Sequence, residues 1–205
     1  MSNNYNLDMA REPGQDTWQH IDDNWLHLCE SKSVVEIGPY GGWISERIIK
    51  HRPTNLTLIE ANKSSVDQLK LNPNLASCKI LLGDMHHDLN QVGPVDVAIV
   101  LGVIYHSHAP MLLLEELVNY CDPQTILIDS PGKLLSWYQE PTNSPGMRYV
   151  VSNKKTCGIV IQINERLLIA SLTNLGYRLH TKEILPENLS LKSNWPIYQF
   201  EKNNG

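Results

Sequence analysis

The sequence has no long apolar run. Nothing approaches 18 consecutive apolar residues, so no transmembrane helix is expected. The first residues, Met1-Ser2-Asn3-Asn4-Tyr5-Asn6, lack the basic start and apolar centre of a signal peptide, and a cytoplasmic location is the expectation. Cysteine is sparse. Cys29, Cys78, Cys121 and Cys157 are far apart and none belongs to a Cys-x-x-Cys pair, which leaves no readable zinc knuckle or thioredoxin-like motif. Three of them sit beside apolar or strand-like runs, where a small buried thiol is the plain expectation. Internal repeats and low-complexity tracts are also missing. Positive charge is short: 17 Lys/Arg against 22 Asp/Glu leave a net charge of -5, which argues against non-specific coating of nucleic acid. The deficit is uneven. Residues 1–147 hold 9 Lys/Arg and 18 Asp/Glu, whereas residues 148–205 hold 8 and 4. The basic C-terminal part is a candidate face for an anionic substrate, with an ordinary solvated surface as the plainer account.

What remains is a globular chain. Its 205 residues and 41% hydrophobic content suit a single domain with a real core. Residues 1–16, polar around Pro13-Gly14, read as a loose arm. Trp18, Ile21, Trp25, Leu26 and Leu28 recur at helical spacing and predict one amphipathic helix over 17–29. Beyond it, short apolar runs alternate with helical patterns. Strands are expected at about 33–38, 56–59, 78–82, 95–101 and 125–128, with helices at about 42–52, 63–71 and 110–121 between them. This alternation predicts a three-layer α-β-α, doubly wound α/β fold with a mostly parallel sheet. Residues 131–149, broken by proline and glycine, read as an inserted loop that could bind substrate. Residues 150–151 and 158–163 look strand-like or irregular. A helix over about 165–175 and strands at 177–184 and 195–202 would complete a seven-stranded sheet with an antiparallel C-terminal pair.

Ligands of such sheets sit beyond the carboxyl ends of the strands. Three of those ends carry acids. Glu36 opens the glycine turn Gly38-Pro39-Tyr40-Gly41-Gly42, Glu60 closes the second strand and Asp84 follows the third. Glycines let backbone approach a ligand, and the following helix offers free N–H groups. Glu60 lies 24 residues after Glu36, one β-α-β step, where an acid suits a ribose. A nicotinamide dinucleotide is disfavoured, since its Gly-x-Gly-x-x-Gly turn expects the acid after the glycines.

The ordered set Glu36-x-Gly38-x-x-Gly41-Gly42, Glu60, Gly83-Asp84-Met85 and the strand Val95–Leu101 with its loop resembles the class I S-adenosylmethionine-dependent methyltransferases. The likeness runs over about residues 17–130 and, through the helix–Gly–strand pattern at 165–183, most of the chain. It implies a Rossmann-like fold and S-adenosylmethionine as cofactor. It also implies that the glycine turn approaches the methionine part, Glu60 the ribose hydroxyls, and Asp84 with Met85 the adenine. Cofactor contacts are accordingly expected at Glu36, Gly38, Pro39, Tyr40, Gly42, Glu60, Ala61, Asp84, Met85 and Gly102. Tyr40 departs from the pattern, because it stands where the family usually has the middle glycine. The segment Gly102-Val103-Ile104-Tyr105-His106-Ser107-His108-Ala109-Pro110 also resembles the matching loop of carboxymethyl-transferring tRNA uridine enzymes. That shorter match carries fold and cofactor but no substrate.

Methyl transfer from a sulfonium is an in-line displacement in which the protein mainly aligns the acceptor and helps remove its proton. Tyr105, His106 and His108 follow the fourth strand, and His106 is the first candidate base for a hydroxyl or amine acceptor. A structural histidine bonded to loop backbone is the alternative. His86, His87 and Asp88 with His106 and His108 form a cluster of metal-ligating type, to which no metal is assigned. Trp137 and Tyr138 are candidates to stack on the acceptor, a small molecule or one nucleotide of a larger substrate. No Asn-Pro-Pro-Tyr-like segment follows the fourth strand, which disfavours methylation of DNA base amines. The competing class is a non-catalytic, methyltransferase-like cofactor-binding or interaction protein. An assembly of identical copies stays open in either case.

Overall fold

The computed structural model describes residues 15–129, 147–151, 159–184 and 196–203. In chain order the elements are α1 (Gln15–Asn24), β1 (Ser33–Ile37), α2 (Trp43–Lys50), β2 (Asn55–Glu60), α3 (Lys63–Leu71), β3 (Lys79–Leu82) and β4 (Val97–Val100). Then come α4 (Pro110–Cys121), β5 (Thr125–Asp129), β6 (Met147–Val151), β7 (Ile159–Ile163), α5 (Glu165–Asn174), β8 (Tyr177–Ile184) and β9 (Pro196–Lys202). The helix starts follow local chemistry. Asn62 accepts from the N–H groups of Ser64 and Ser65 to open α3, Asn164 accepts from Leu167 N–H to open α5, and Pro110 occupies the first turn of α4.

One sheet has the order β3-β2-β1-β4-β5-β9-β8. Strands β1 to β5 pair in parallel, and β9 runs antiparallel between β5 and β8. The expected seven-stranded sheet with its antiparallel closing pair is therefore present. Its central strand β1 shows why both faces need apolar residues. Val34 points into one core with Val97, Ile99 and Ile48, while Val35 and Ile37 point into the other with Ala98, Val100 and Leu114. A period of two on a sheet covered twice produces the continuous apolar runs seen in the sequence.

Some boundaries differ from expectation. The helix foreseen over 17–29 divides: α1 opens at Gln15 and ends at Asn24, and a 3-10 turn covers Leu26–Cys29. Trp25 breaks the run with φ -131° and ψ -48°. The tighter turn brings Leu26 and Cys29, three apart, onto one side, where they are buried with Trp25. The side chain of Trp18 lies outside the described residues. Strands β6 and β7 form a separate antiparallel pair, with Val150 opposite Val160, so the inserted segment gives way to a strand at Met147. Cys29 and Cys121 are buried as expected, and burial pushes their thiols up to about 12 and about 11. Among the described residues no helix is long and apolar enough to cross a membrane.

Candidate functional site

The parallel strands all end on one rim, and the chain order of the sheet reverses between β1 and β4. That reversal opens a crevice at the rim. Its first wall is the turn after β1. Gly38 has φ 67°, and a Cβ there would stand 2.6 Å from Val103 Cγ2, in the loop after β4. The two loops touch across the switch point only because this residue has no side chain. Gly42 caps α2 with φ 81°, and a Cβ would meet Leu69 Cδ2 at 2.8 Å. Between them Tyr40 adopts φ 50°, so the residue that departs from the glycine pattern keeps the glycine-type backbone. Its ring meets Trp43 edge-on at 6.0 Å, and its N–H donates to Glu60 Oε2 at 3.0 Å.

Glu60 is thus held from two sides. Its Oε1 accepts from Asn62 N–H at 2.7 Å, and the residue is only 8% exposed. A carboxylate has about four acceptor positions, so both oxygens keep capacity for hydroxyl donors. Glu36 is more enclosed, at 3% exposure. Ser45 of α2 donates to its Oε2 at 2.5 Å. Burial pushes its pKa up to about 7; the Ser45 bond opposes that rise and the Glu60 charge adds to it. Pro39 is buried beside these groups, and Ala61 is exposed at the end of β2.

Asp84 sits exposed past β3. Its Oδ1 accepts from His86 N–H at 2.7 Å, and its own N–H donates to Asp88 Oδ2 at 2.7 Å. Met85 is half-buried against the core. On the far side of the switch point, Gly102 N–H donates to Asp129 Oδ1 at 2.8 Å. Asp129 closes β5 and is 9% exposed, and burial pushes it up to about 7 against that hydrogen bond. Tyr105 and His106 lie on a 3-10 turn with ring centroids 4.3 Å apart. His106 reaches the surface, yet desolvation by the protein around its ring holds it below the ordinary imidazole value. His108 is also exposed, and its ring centroid lies 4.5 Å from that of His86.

The rim thus gathers Glu36, Gly38–Gly42 and Glu60 on one side, Asp84 and Met85 on the flank, and Gly102 with Tyr105, His106 and His108 on the other. Trp137 and Tyr138 lie outside the described residues. His87 turns to solvent, and among the described residues no group of three or more His, Cys, Asp or Glu is set to hold a metal ion. The sequence assigned no particular role to Ser45, Ser107, Glu116 or Asp129, although Asp129 and the loop that holds Ser107 fall on the expected ligand rim. Asp129 carried the same signal as Glu60, an acid closing an apolar strand. The others had none, because their partners lie on different elements. A polar hollow of about 440 Å³, lined by Gln124, Thr125, Arg178 and Glu201 among others, lies at the opposite end of the sheet, and Arg178 is paired there with Glu201.

Strand order, parallel core, antiparallel closing pair and acids along the rim define the Rossmann-like class I methyltransferase fold. Solved structures agree. The chain superposes on the CcbJ methyltransferase of Streptomyces caelestis with a TM-score of 0.66 at 11% identity, covering 94% of this chain and 97% of that one. It superposes on a magnesium protoporphyrin IX methyltransferase from Synechocystis with S-adenosylhomocysteine (SAH) bound, at 0.63 and 14%, covering 92% and 80%. A third match is a 1,6-didemethyltoxoflavin N1-methyltransferase from Burkholderia thailandensis, solved with its acceptor and SAH, at 0.65 and 12%, covering 93% and 78%. By sequence, no protein-family profile and no curated protein matches the chain.

Proposed function

We propose that the protein is an S-adenosylmethionine-dependent methyltransferase acting on a hydroxyl or amine of a small molecule or a single nucleotide, as one domain in the cytoplasm. The observation that carries this reading is Glu60, a buried carboxylate at the end of β2, fixed by two backbone N–H groups with acceptor capacity left on both oxygens. Such an acid is prepared for a pair of neighbouring hydroxyls, the chemistry of a ribose. The rest of the rim fits the same cofactor. Gly38 and Gly42 let the turn after β1 pack closely against Val103 and Leu69, where a Cβ would clash, Glu36 is a buried acid, and Asp84 is an exposed acceptor for an exocyclic amine. When bound, the cofactor would supply a methyl group already activated on a sulfonium.

The chain's own part is alignment and proton removal. Glu60 holds the ribose, and Glu36 favours positive charge beside the turn. His106 is neutral at physiological pH because desolvation lowers its pKa, so it can take a proton from an acceptor hydroxyl or amine. Tyr105, whose ring leans on that of His106 at 45°, orients it. The small-molecule acceptor of the Burkholderia enzyme supports a substrate of modest size here. Calorimetry with SAH is the direct test. Binding is expected, and its absence removes the reading. Binding without methyl transfer to any acceptor in a screen with labelled cofactor would instead identify a non-catalytic cofactor-binding protein.

A further inference from the structure

His86 and Ser107 sit on different loops, after β3 and before α4, yet they meet inside the protein. His86 Nε2 and Ser107 Oγ are 2.8 Å apart, with the residues 4% and 2% exposed. On the other side of the ring, His86 Nδ1 stands 3.7 Å from Glu116 Oε2 on α4, and both atoms are buried with no hydrogen-bond partner. Ser107 Oγ also accepts from Ala109 N–H at 3.1 Å. One arrangement satisfies the close contacts and turns the remaining ring nitrogen toward Glu116. The Ser107 hydroxyl donates to Nε2, and the imidazole proton rests on Nδ1, facing Glu116. Burial, then the His108 ring, keep His86 below the ordinary imidazole value; Asp84 and Glu116 pull the other way, and His87 adds slightly to the lowering. The ring is therefore neutral near pH 7. Ser107 is too enclosed to act as a nucleophile.

The same histidine is tied to the cofactor side of the rim through its backbone, because His86 N–H donates to Asp84 Oδ1 at 2.7 Å. A ligand that takes hold of the Asp84 carboxylate bears directly on the residue that grips Ser107. We infer that His86 is a positioning residue which couples the adenine end of the cofactor site to the acceptor loop, residues 102–109, through Ser107. The coupling rests on the methyltransferase reading. It steadies the loop that carries His106 and His108, and it acts by holding loop geometry rather than by touching the reacting atoms.

The test is amide hydrogen exchange over residues 102–109 with and without SAH, read beside calorimetric affinity. In the unmodified protein, SAH is expected to slow exchange in this loop by about tenfold. His86→Gln, whose amide reaches the Nε2 position, should keep that slowing. His86→Asn, which reaches only as far as Nδ1, should lose it while affinity for SAH stays within about threefold. A residue that merely fills space would give both variants the same result, and that outcome overturns the inference. If His86→Asn shows no cooperative melting transition, Ser107→Ala takes its place with the same expected loss; retained protection there overturns the inference as well. SAH that binds without slowing the loop removes the coupling alone, whereas SAH that fails to bind the unmodified protein removes the methyltransferase reading and the coupling together.

Discussion

The two walls of the rim are built by different means. The wall formed by β1 and β2 uses backbone: positive φ at Gly38, Tyr40 and Gly42, N–H groups from Tyr40 and Asn62, and buried acids at the strand ends. The wall formed by the loop after β4 uses side chains that cross between elements: Asp129 to Gly102, His86 to Ser107, His108 against His86. A wall made of backbone presents a fixed shape to a ligand common to many proteins. A wall made of side chains on a loop can be rebuilt for a different acceptor without disturbing the sheet.

The contrast can be broken from either side. The largest effect is expected on the side-chain wall. His106→Ala should lower methyl transfer by about 10³-fold, in the range for a lost general base, with SAH affinity unmoved. Kinetics on an acceptor found by the labelled-cofactor screen would measure it, and unchanged turnover removes His106 as the base. On the backbone wall, Glu60→Ala should weaken SAH binding by about 100-fold, two hydrogen bonds to a charged group at about 1.5 kcal/mol each. Calorimetry checks this, and unchanged affinity would put the ribose elsewhere.

Stability sharpens the comparison further. Glu36 rises from 4.5 when unfolded to about 7 when folded. A raised carboxyl pKa means that the native state holds its proton more tightly, so stability is full below about 4.5 and falls as pH rises toward 7. Asp129 acts with the same sign. Glu36→Gln should therefore flatten the fall in unfolding free energy between pH 5 and 8, by roughly 2 to 3 kcal/mol over that window, as measured by denaturant unfolding. An unchanged slope would show that Glu36 is not the group responsible. Gly38→Ala should destabilise by about 2 kcal/mol, since it combines a left-handed backbone with a clash at Val103; denaturant unfolding gives the value. The smallest effect belongs to Tyr40→Gly. Relief of φ 50° is worth up to about 1 kcal/mol, set against the lost contact with Trp43. A large loss there would mean that the ring, rather than the backbone, shapes the turn.

Legibility in the sequence followed the same division. The parallel strands could be read because residues buried on both faces leave unbroken apolar runs, as in Val97–Val100, and their order was implied by β-α alternation. Glu36, Glu60 and Asp84 could be read because each lies at or just past the end of a strand-like apolar run. Ser45, Ser107 and Glu116 could not, because a serine nine residues past Glu36, or a glutamate nearly two turns into α4, has a partner only after folding. The split of the first helix was hidden for a related reason. Helical spacing registers which residues are buried, whereas the break at Trp25 depends on how tightly the chain must turn to bury Leu26 and Cys29 in one layer.

Glu36 has one more consequence. Burial pushes its pKa up to about 7, which favours a bound proton at the place where the proposed cofactor would bring positive charge. The protonated carboxyl is neutral, and a sulfonium beside it favours the carboxylate and so the loss of that proton. Binding is then an ion exchange: each molecule that enters near neutrality should expel a fraction of a proton into the buffer, and the grip should tighten as the solution becomes more alkaline.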